Sequence, residues 1–146
     1  MALAVALAAV AGLAGAVQAA VMGELGERVG VFPAVAFSGV VTIVIAFAAL
    51  AAAEGNVRGV ADVVREPVWL WTGGAISVLI ILAVTVGAPR IGIAATIGTV
   101  IAGNLVMAAV IDQFGLLGLD RITIGWPRAL GLVLLAAGTA LSLHRG

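Results

Sequence analysis

The sequence predicts an all-α integral membrane protein with five transmembrane helices. Three observations carry that reading. Of the 146 residues, 64% are hydrophobic and 10% charged, with a mean hydropathy of +1.30; an average soluble domain is roughly 45–50% apolar and about 25% charged. Five long stretches are almost free of charge and hold 101 residues between them. The four prolines each lie at an edge of one of these stretches. Such a chain cannot cover itself with polar surface, which excludes a soluble globular domain, a disordered chain and a coiled coil.

The stretches are residues 2–22, 33–53, 68–88, 91–111 and 128–144, read as one transmembrane domain over 1–146. Thirteen of the fourteen charged side chains fall outside them, and Arg128 opens the last. A helix rising 1.5 Å per residue needs about 20 residues to cross a hydrocarbon layer of ~30 Å. Four stretches meet that length directly. The fifth is shorter and borrows Trp126 and Pro127 or sits in thinned lipid. Barrel strands are excluded, because the runs are too long and lack a two-residue alternation.

Along the chain, the first stretch reads as a retained helix. Val17-Gln18-Ala19 resembles a small-residue cleavage site, but no Arg or Lys precedes the apolar run, as a signal peptide would require. Pro33, Pro67 and Pro127 precede their helices, where a missing N–H costs nothing. Pro89 and Arg90 are expected to form a tight turn between the third and fourth helices. Between Glu54 and Glu66, Val57, Val60, Ala61 and Val64 recur at helical spacing, with Arg58, Asp62 and Arg65 opposite and Asn56 placed to cap. Residues 57–66 read either as a short amphipathic helix in the interface or as an irregular loop.

Lipid gives no hydrophobic drive for helix association, so close contact between small residues must supply it. Gly12 and Gly15 lie on one stripe of the first helix, Gly73 and Gly74 start the third, and Gly92 and Gly103 lie on the fourth. These six are expected at helix contacts.

Five crossings put the chain ends on opposite sides. The N-terminal side carries Arg58, Arg65, Arg121 and Arg128; the other carries Arg28, Arg90 and Arg145. Lysine is absent. Orientation follows a clear Lys/Arg excess in cytoplasmic loops, and four against three is hardly one. The expectation is insertion both ways, with antiparallel pairing. Trp69, Trp71 and Trp126 all lie at the N-terminal side, and an antiparallel pair restores an aromatic belt on both faces.

Net charge is zero, so nothing recruits nucleic acid. Cysteine is absent and His144 is the single histidine; no metal or cofactor is expected, and no nucleophile motif, phosphate loop or zinc motif suggests an enzyme. No charged residue lies deep in a span, unlike in proton relays and voltage sensors. Asn104 near mid-membrane and Gln18 are the most polar groups there. An unpaired amide in hydrocarbon costs several kcal/mol. Each therefore either bonds between helices or faces a polar cavity. Glu24 and Asp112, at opposite membrane sides, read either as solvated interface charges or as gating or proton-exchange groups at a cavity mouth.

The second half holds a more specific pattern. It runs Pro67-Val68-Trp69-Leu70-Trp71-Thr72-Gly73-Gly74, Ala88-Pro89-Arg90-Ile91-Gly92, Gly103-Asn104, Ile111-Asp112-Gln113-Phe114-Gly115-Leu116-Leu117-Gly118 and Arg128-Ala129-Leu130-Gly131. This order resembles the YdcZ-type inner-membrane exporters of the drug/metabolite transporter superfamily. In the first half Gln18, Leu25-Gly26 and Phe37 match. Met22 stands where the family has Asn, Ala36 where it has Ser, Asn104 where it has Gln, and Gln113 where it has His.

The resemblance implies a multi-pass protein of the bacterial inner membrane, and a chain that is half of an inverted-repeat, ten-helix unit. Its partner would be a second copy or a paired homologue, antiparallel within membrane lipid, with a small-molecule substrate bound near mid-membrane and alternating access by rocking. The expected cavity is lined by Gln18, Ser38, Thr99 and Asn104, with Trp69 and Trp71 near its mouth. The alternative is a non-transporting accessory or assembly subunit, which would be a solid bundle rather than a lined cavity.

Overall fold

The computed structural model describes residues 2–143; His144 and Arg145 lie outside the described residues. The described residues form six α-helices: α1 (Ala2–Val29), α2 (Val31–Glu54), α3 (Gly59–Val63), α4 (Thr72–Ile91), α5 (Ile93–Phe114) and α6 (Trp126–Leu143). Short 3-10 turns lie at Val68–Trp71 and Leu116–Gly118, and no strand occurs among the described residues. Five helical segments are long and apolar enough to cross a membrane: Ala2–Val29, Val31–Glu54, Val68–Ile91, Ile93–Phe114 and Trp126–Leu143. The chain is an all-α, five-span membrane protein.

Several expected limits move: α5 reaches Phe114, and α2 and α6 begin before Pro33 and Pro127, which lie in the first turn instead of preceding the helix. α1 runs past residue 22 to Val29, carrying Glu24, Glu27 and Arg28 with it. The helix tolerates these charges because Arg28 and Glu24 stand one turn apart and pair at 2.7 Å, both well exposed. The basic residue also sits in the last turn, where it opposes the helix dipole. α4 continues through Pro89 and Arg90 to Ile91, so these two residues are not the turn. Proline removes one intrahelical hydrogen bond, which matters least in a final turn that is about to end.

Both reversals instead fall on single glycines. Gly30 separates α1 from α2 at φ 93°, ψ 151°, and Gly92 separates α4 from α5 at φ 87°, ψ 154°. A side chain at positive φ and extended ψ is strongly disfavoured, so glycine is required at both. The amides of Gly30 and Gly92 still close the outgoing helices, donating to the carbonyls of Gly26 (3.0 Å) and Ala88 (3.1 Å). The carbonyls of the same two glycines accept from the amides of Ala34 (3.2 Å) and Thr96 (3.0 Å) and start the next helices. The two junctions share a local sequence, Arg28-Val29-Gly30-Val31 and Arg90-Ile91-Gly92-Ile93. Gly92 is therefore the joint between α4 and α5.

The chain divides into two compact units, one of residues 21–86 and one of residues before 21 and after 86. Within the first, Met22, Ala34 and Val35 form a small buried core, with Leu25, Val31, Ile81 and Leu82 packed on it. Thr85 is 1% exposed. Its hydroxyl donates to the Ile81 carbonyl at 2.7 Å, leaving its methyl to pack on Gly26. Within the second, Thr96 is buried and lies against Gly87. Thr139 of α6 donates to the Gly98 carbonyl of α5 at 3.2 Å, a side chain-to-backbone bond between spans.

Among the described residues, Gly12, Gly15, Gly73, Gly74 and Gly103 have open space where a side chain would begin. The close approaches fall at Gly26 and Gly87, each opposite a threonine.

Between α2 and α4 the backbone is organised locally. Gly55 closes α2 in the left-handed conformation. Asn56 Oδ1 accepts the Arg58 amide at 2.9 Å, just ahead of α3. Within residues 57–66, Gly59–Val63 is α-helical.

Candidate functional site

The polar residues expected to line a cavity divide by what their side chains already bond. Thr99 donates to the Ala95 carbonyl of its own helix at 2.8 Å. The Trp71 indole donates to the Val63 carbonyl at 3.2 Å, which ties the 3-10 turn to the end of α3 and fixes that ring. Trp69 is half exposed beside it. Ser38 is half-buried in α2, and its carbonyl accepts the Thr42 hydroxyl at 2.9 Å.

Gln18 and Asn104 differ from these. Both are exposed in spans, and neither amide has a hydrogen-bond partner among the described residues. Asn104 lies near the middle of α5. No water reaches the hydrocarbon core, so an amide there needs a partner or costs several kcal/mol. The described residues do not supply one. The two amides are not hydrogen-bonded to each other.

The two carboxylates expected at cavity mouths are both paired. Glu24 is held by Arg28 on the exposed end of α1. Asp112, at the end of α5, accepts Arg128 from the start of α6. That pair is less exposed, with Asp112 at 20% and Arg128 at 44%. It sits in a larger bonded cluster. The Asp112 carbonyl accepts the Ile122 amide at 2.8 Å. The neighbouring Gln113 takes the Arg121 guanidinium on its carbonyl (2.8 Å) and the Ile124 amide on Oε1 (2.9 Å). Gln113 thus fastens the α5–α6 connection to the end of α5. In the sequence Gln113 is marked only as standing where the family has His, and no local pattern announces its bonds to Arg121 and Ile124.

Beside the Asp112–Arg128 pair runs an open, mainly apolar groove of about 290 Å³ lined by Leu105, Arg128, Gly131, Leu132 and Leu135. Among the described residues no group of three or more His, Cys, Asp or Glu gathers to hold a metal ion.

The family comparison decides what kind of protein carries this arrangement. The profile described as "Putative inner membrane exporter, YdcZ" matches residues 3–141. The chain belongs to the YdcZ family. This YdcZ-type chain is accordingly a multi-pass inner-membrane protein, of an exporter family rather than an enzyme family. Neither a curated protein nor a solved structure matches it.

Proposed function

We propose that this YdcZ-type chain exports a small metabolite or lipophilic compound as an antiparallel pair, with Asn104 and Gln18 lining a central polar cavity. The single observation behind the reading is that both amides lie in spans, exposed and unbonded within one chain. A second copy closes these faces against lipid, and a substrate or bridging water completes the hydrogen bonds. The open glycines at Gly12, Gly15, Gly73, Gly74 and Gly103 then serve contacts between chains, where small residues let backbones approach. Four Arg against three on the two sides support insertion in both orientations, and alternating access by rocking of the two halves follows from such an inverted pair. A paired homologue in place of the second copy gives the same geometry.

Asn104→Leu tests the assignment. As a cavity residue, its loss should lower transport or ligand affinity by about one to two decades, the weight of ~1–3 kcal/mol for an unmatched polar group. The dimer fraction and thermal stability should hold, because Leu is content in an apolar bundle, and Asn104→Gln should be milder. A fall in dimer fraction with transport per folded dimer unchanged would instead make Asn104 an interhelical hydrogen bond and remove it from the site.

A further inference from the structure

The groove between α5 and α6 stands apart from the proposed cavity, since neither Asn104 nor Gln18 lines it. Arg128, Gly131, Leu132 and Leu135 fall at i, i+3, i+4 and i+7, one continuous stripe of α6. The stripe is about 10 Å long at 1.5 Å per residue. Leu105 of α5 forms the opposite wall. Gly131 has open space where a side chain would begin, so the α6 wall is recessed there.

The two ends of this groove differ chemically. Three leucines line the part that runs into the span. At the other end the Arg128–Asp112 pair sits where α5 ends and α6 begins, and Trp126, 77% exposed, lies two residues before Arg128. Exposed tryptophan at a span end belongs to the headgroup layer. Guanidinium carries five N–H donors and carboxylate two acceptor oxygens; the pair uses Nη2 of Arg128 and Oδ2 of Asp112 on each other. Donors remain on one partner and an acceptor oxygen on the other, and both side chains are partly exposed.

We propose that this groove binds a phospholipid with a zwitterionic, primary-amine headgroup. The phosphate lies on the remaining Arg128 donors, the ammonium donates to Asp112, and an acyl chain runs along Gly131, Leu132 and Leu135. Charge complementarity selects this occupant. A lone anion meets Asp112 as well as Arg128, and a lone cation meets the reverse. A phosphate joined to an ammonium matches both members of the pair. Quaternary choline has the charge but no N–H to donate, and a glycerol headgroup lacks the cation.

The test is native mass spectrometry of the full-length protein, released from detergent containing equal amounts of phosphatidylethanolamine, phosphatidylcholine and phosphatidylglycerol with identical acyl chains. The ethanolamine adduct should exceed the other two by about tenfold, the weight of one hydrogen bond to a charged group. Arg128→Gln should lower all three adducts. Asp112→Asn should erase the ethanolamine preference while phospholipid still binds. Gly131→Leu fills open space without touching the ion pair, so it should remove the adducts while the circular dichroism stays wild type. Equal adducts for the three headgroups, or adducts unchanged in Gly131→Leu, would overturn the proposal. So would a fall in dimer fraction in Gly131→Leu with adducts retained, which would seat a second copy in the groove.

Discussion

The Thr85 methyl of α4 occupies the space that any side chain on Gly26 of α1 would need. A Cβ placed on Gly26 would lie 2.6 Å from Thr85 Cγ2, and the threonine is fully enclosed. The threonine hydroxyl is held by the Ile81 carbonyl, so the methyl cannot rotate away without breaking that bond.

Gly26→Ala should therefore destabilise the unit of residues 21–86 by about 1–3 kcal/mol, the usual penalty for overpacking. Thermal unfolding in detergent would read it. Thr85→Ser removes the methyl and keeps the hydroxyl, so the double variant should recover most of the loss. Failure of that rescue would mean the clash lies with backbone rather than with Thr85.

The glycine joints should be intolerant for a different reason. Gly30→Ala and Gly92→Ala each place a Cβ on a backbone at positive φ and extended ψ, with a strain of order 1–3 kcal/mol. Space is not the issue at Gly30, whose nearest neighbour is Pro33 at 3.6 Å from the added carbon. Both variants should lower the melting temperature, and no substitution in a facing helix should restore it. Measuring Gly30→Ala beside Gly26→Ala separates backbone strain from crowding four residues apart.

Gln113 offers a test of the α5–α6 connection. Gln113→Ala removes the acceptor of the Ile124 amide and should cost about 1 kcal/mol. Hydrogen exchange at Ile124 should speed up, while the Arg121 bond to the residue 113 carbonyl survives. Gln113→Glu keeps an acceptor oxygen and should leave Ile124 protected. Equal exchange in all three proteins would show that the bond does not hold the connection.

Insertion direction is open to a direct measurement. With four Arg against three, reporters fused to the C-terminus should signal from both compartments. Adding arginine at Glu27 and Val29, both exposed at the end of α1, should bias insertion towards that side inside. It should also lower transport by depriving the pair of one orientation. Signal from one compartment only in the unmodified chain would exclude insertion both ways.

The spans were legible in the sequence because lipid tolerates so little charge, and each apolar run announced its own helix. Their ends were less legible. Glu24 and Arg28 look like loop residues singly, yet paired one turn apart they extend α1 beyond the apolar run. Pro89 looks like a breaker, yet α4 passes it, because only the last turn is affected. The close-packed glycines were hidden for a related reason. Gly12 and Gly15 stand out on a helical wheel, but what crowds Gly26 and Gly87 is a threonine opposite each, and no single-helix pattern records what lies across from it. At the candidate site the lone amides of Gln18 and Asn104 were readable from polarity alone. The Asp112–Arg128 pairing and the role of Gln113 were not, since they depend on how the chain from Gly115 to Gly125 turns back.

The joints at Gly30 and Gly92 also limit how the molecule can move. A long loop lets neighbouring rods slide past each other, with slack taken up between them. A connection one residue long holds no slack. Axial travel of α1 is passed at once to α2, and that of α4 to α5, as in a folding rule whose arms share a pin. What remains free is pivoting about the glycine backbone, so any large rearrangement of these helices has to be a swing of whole arms rather than a piston stroke of one.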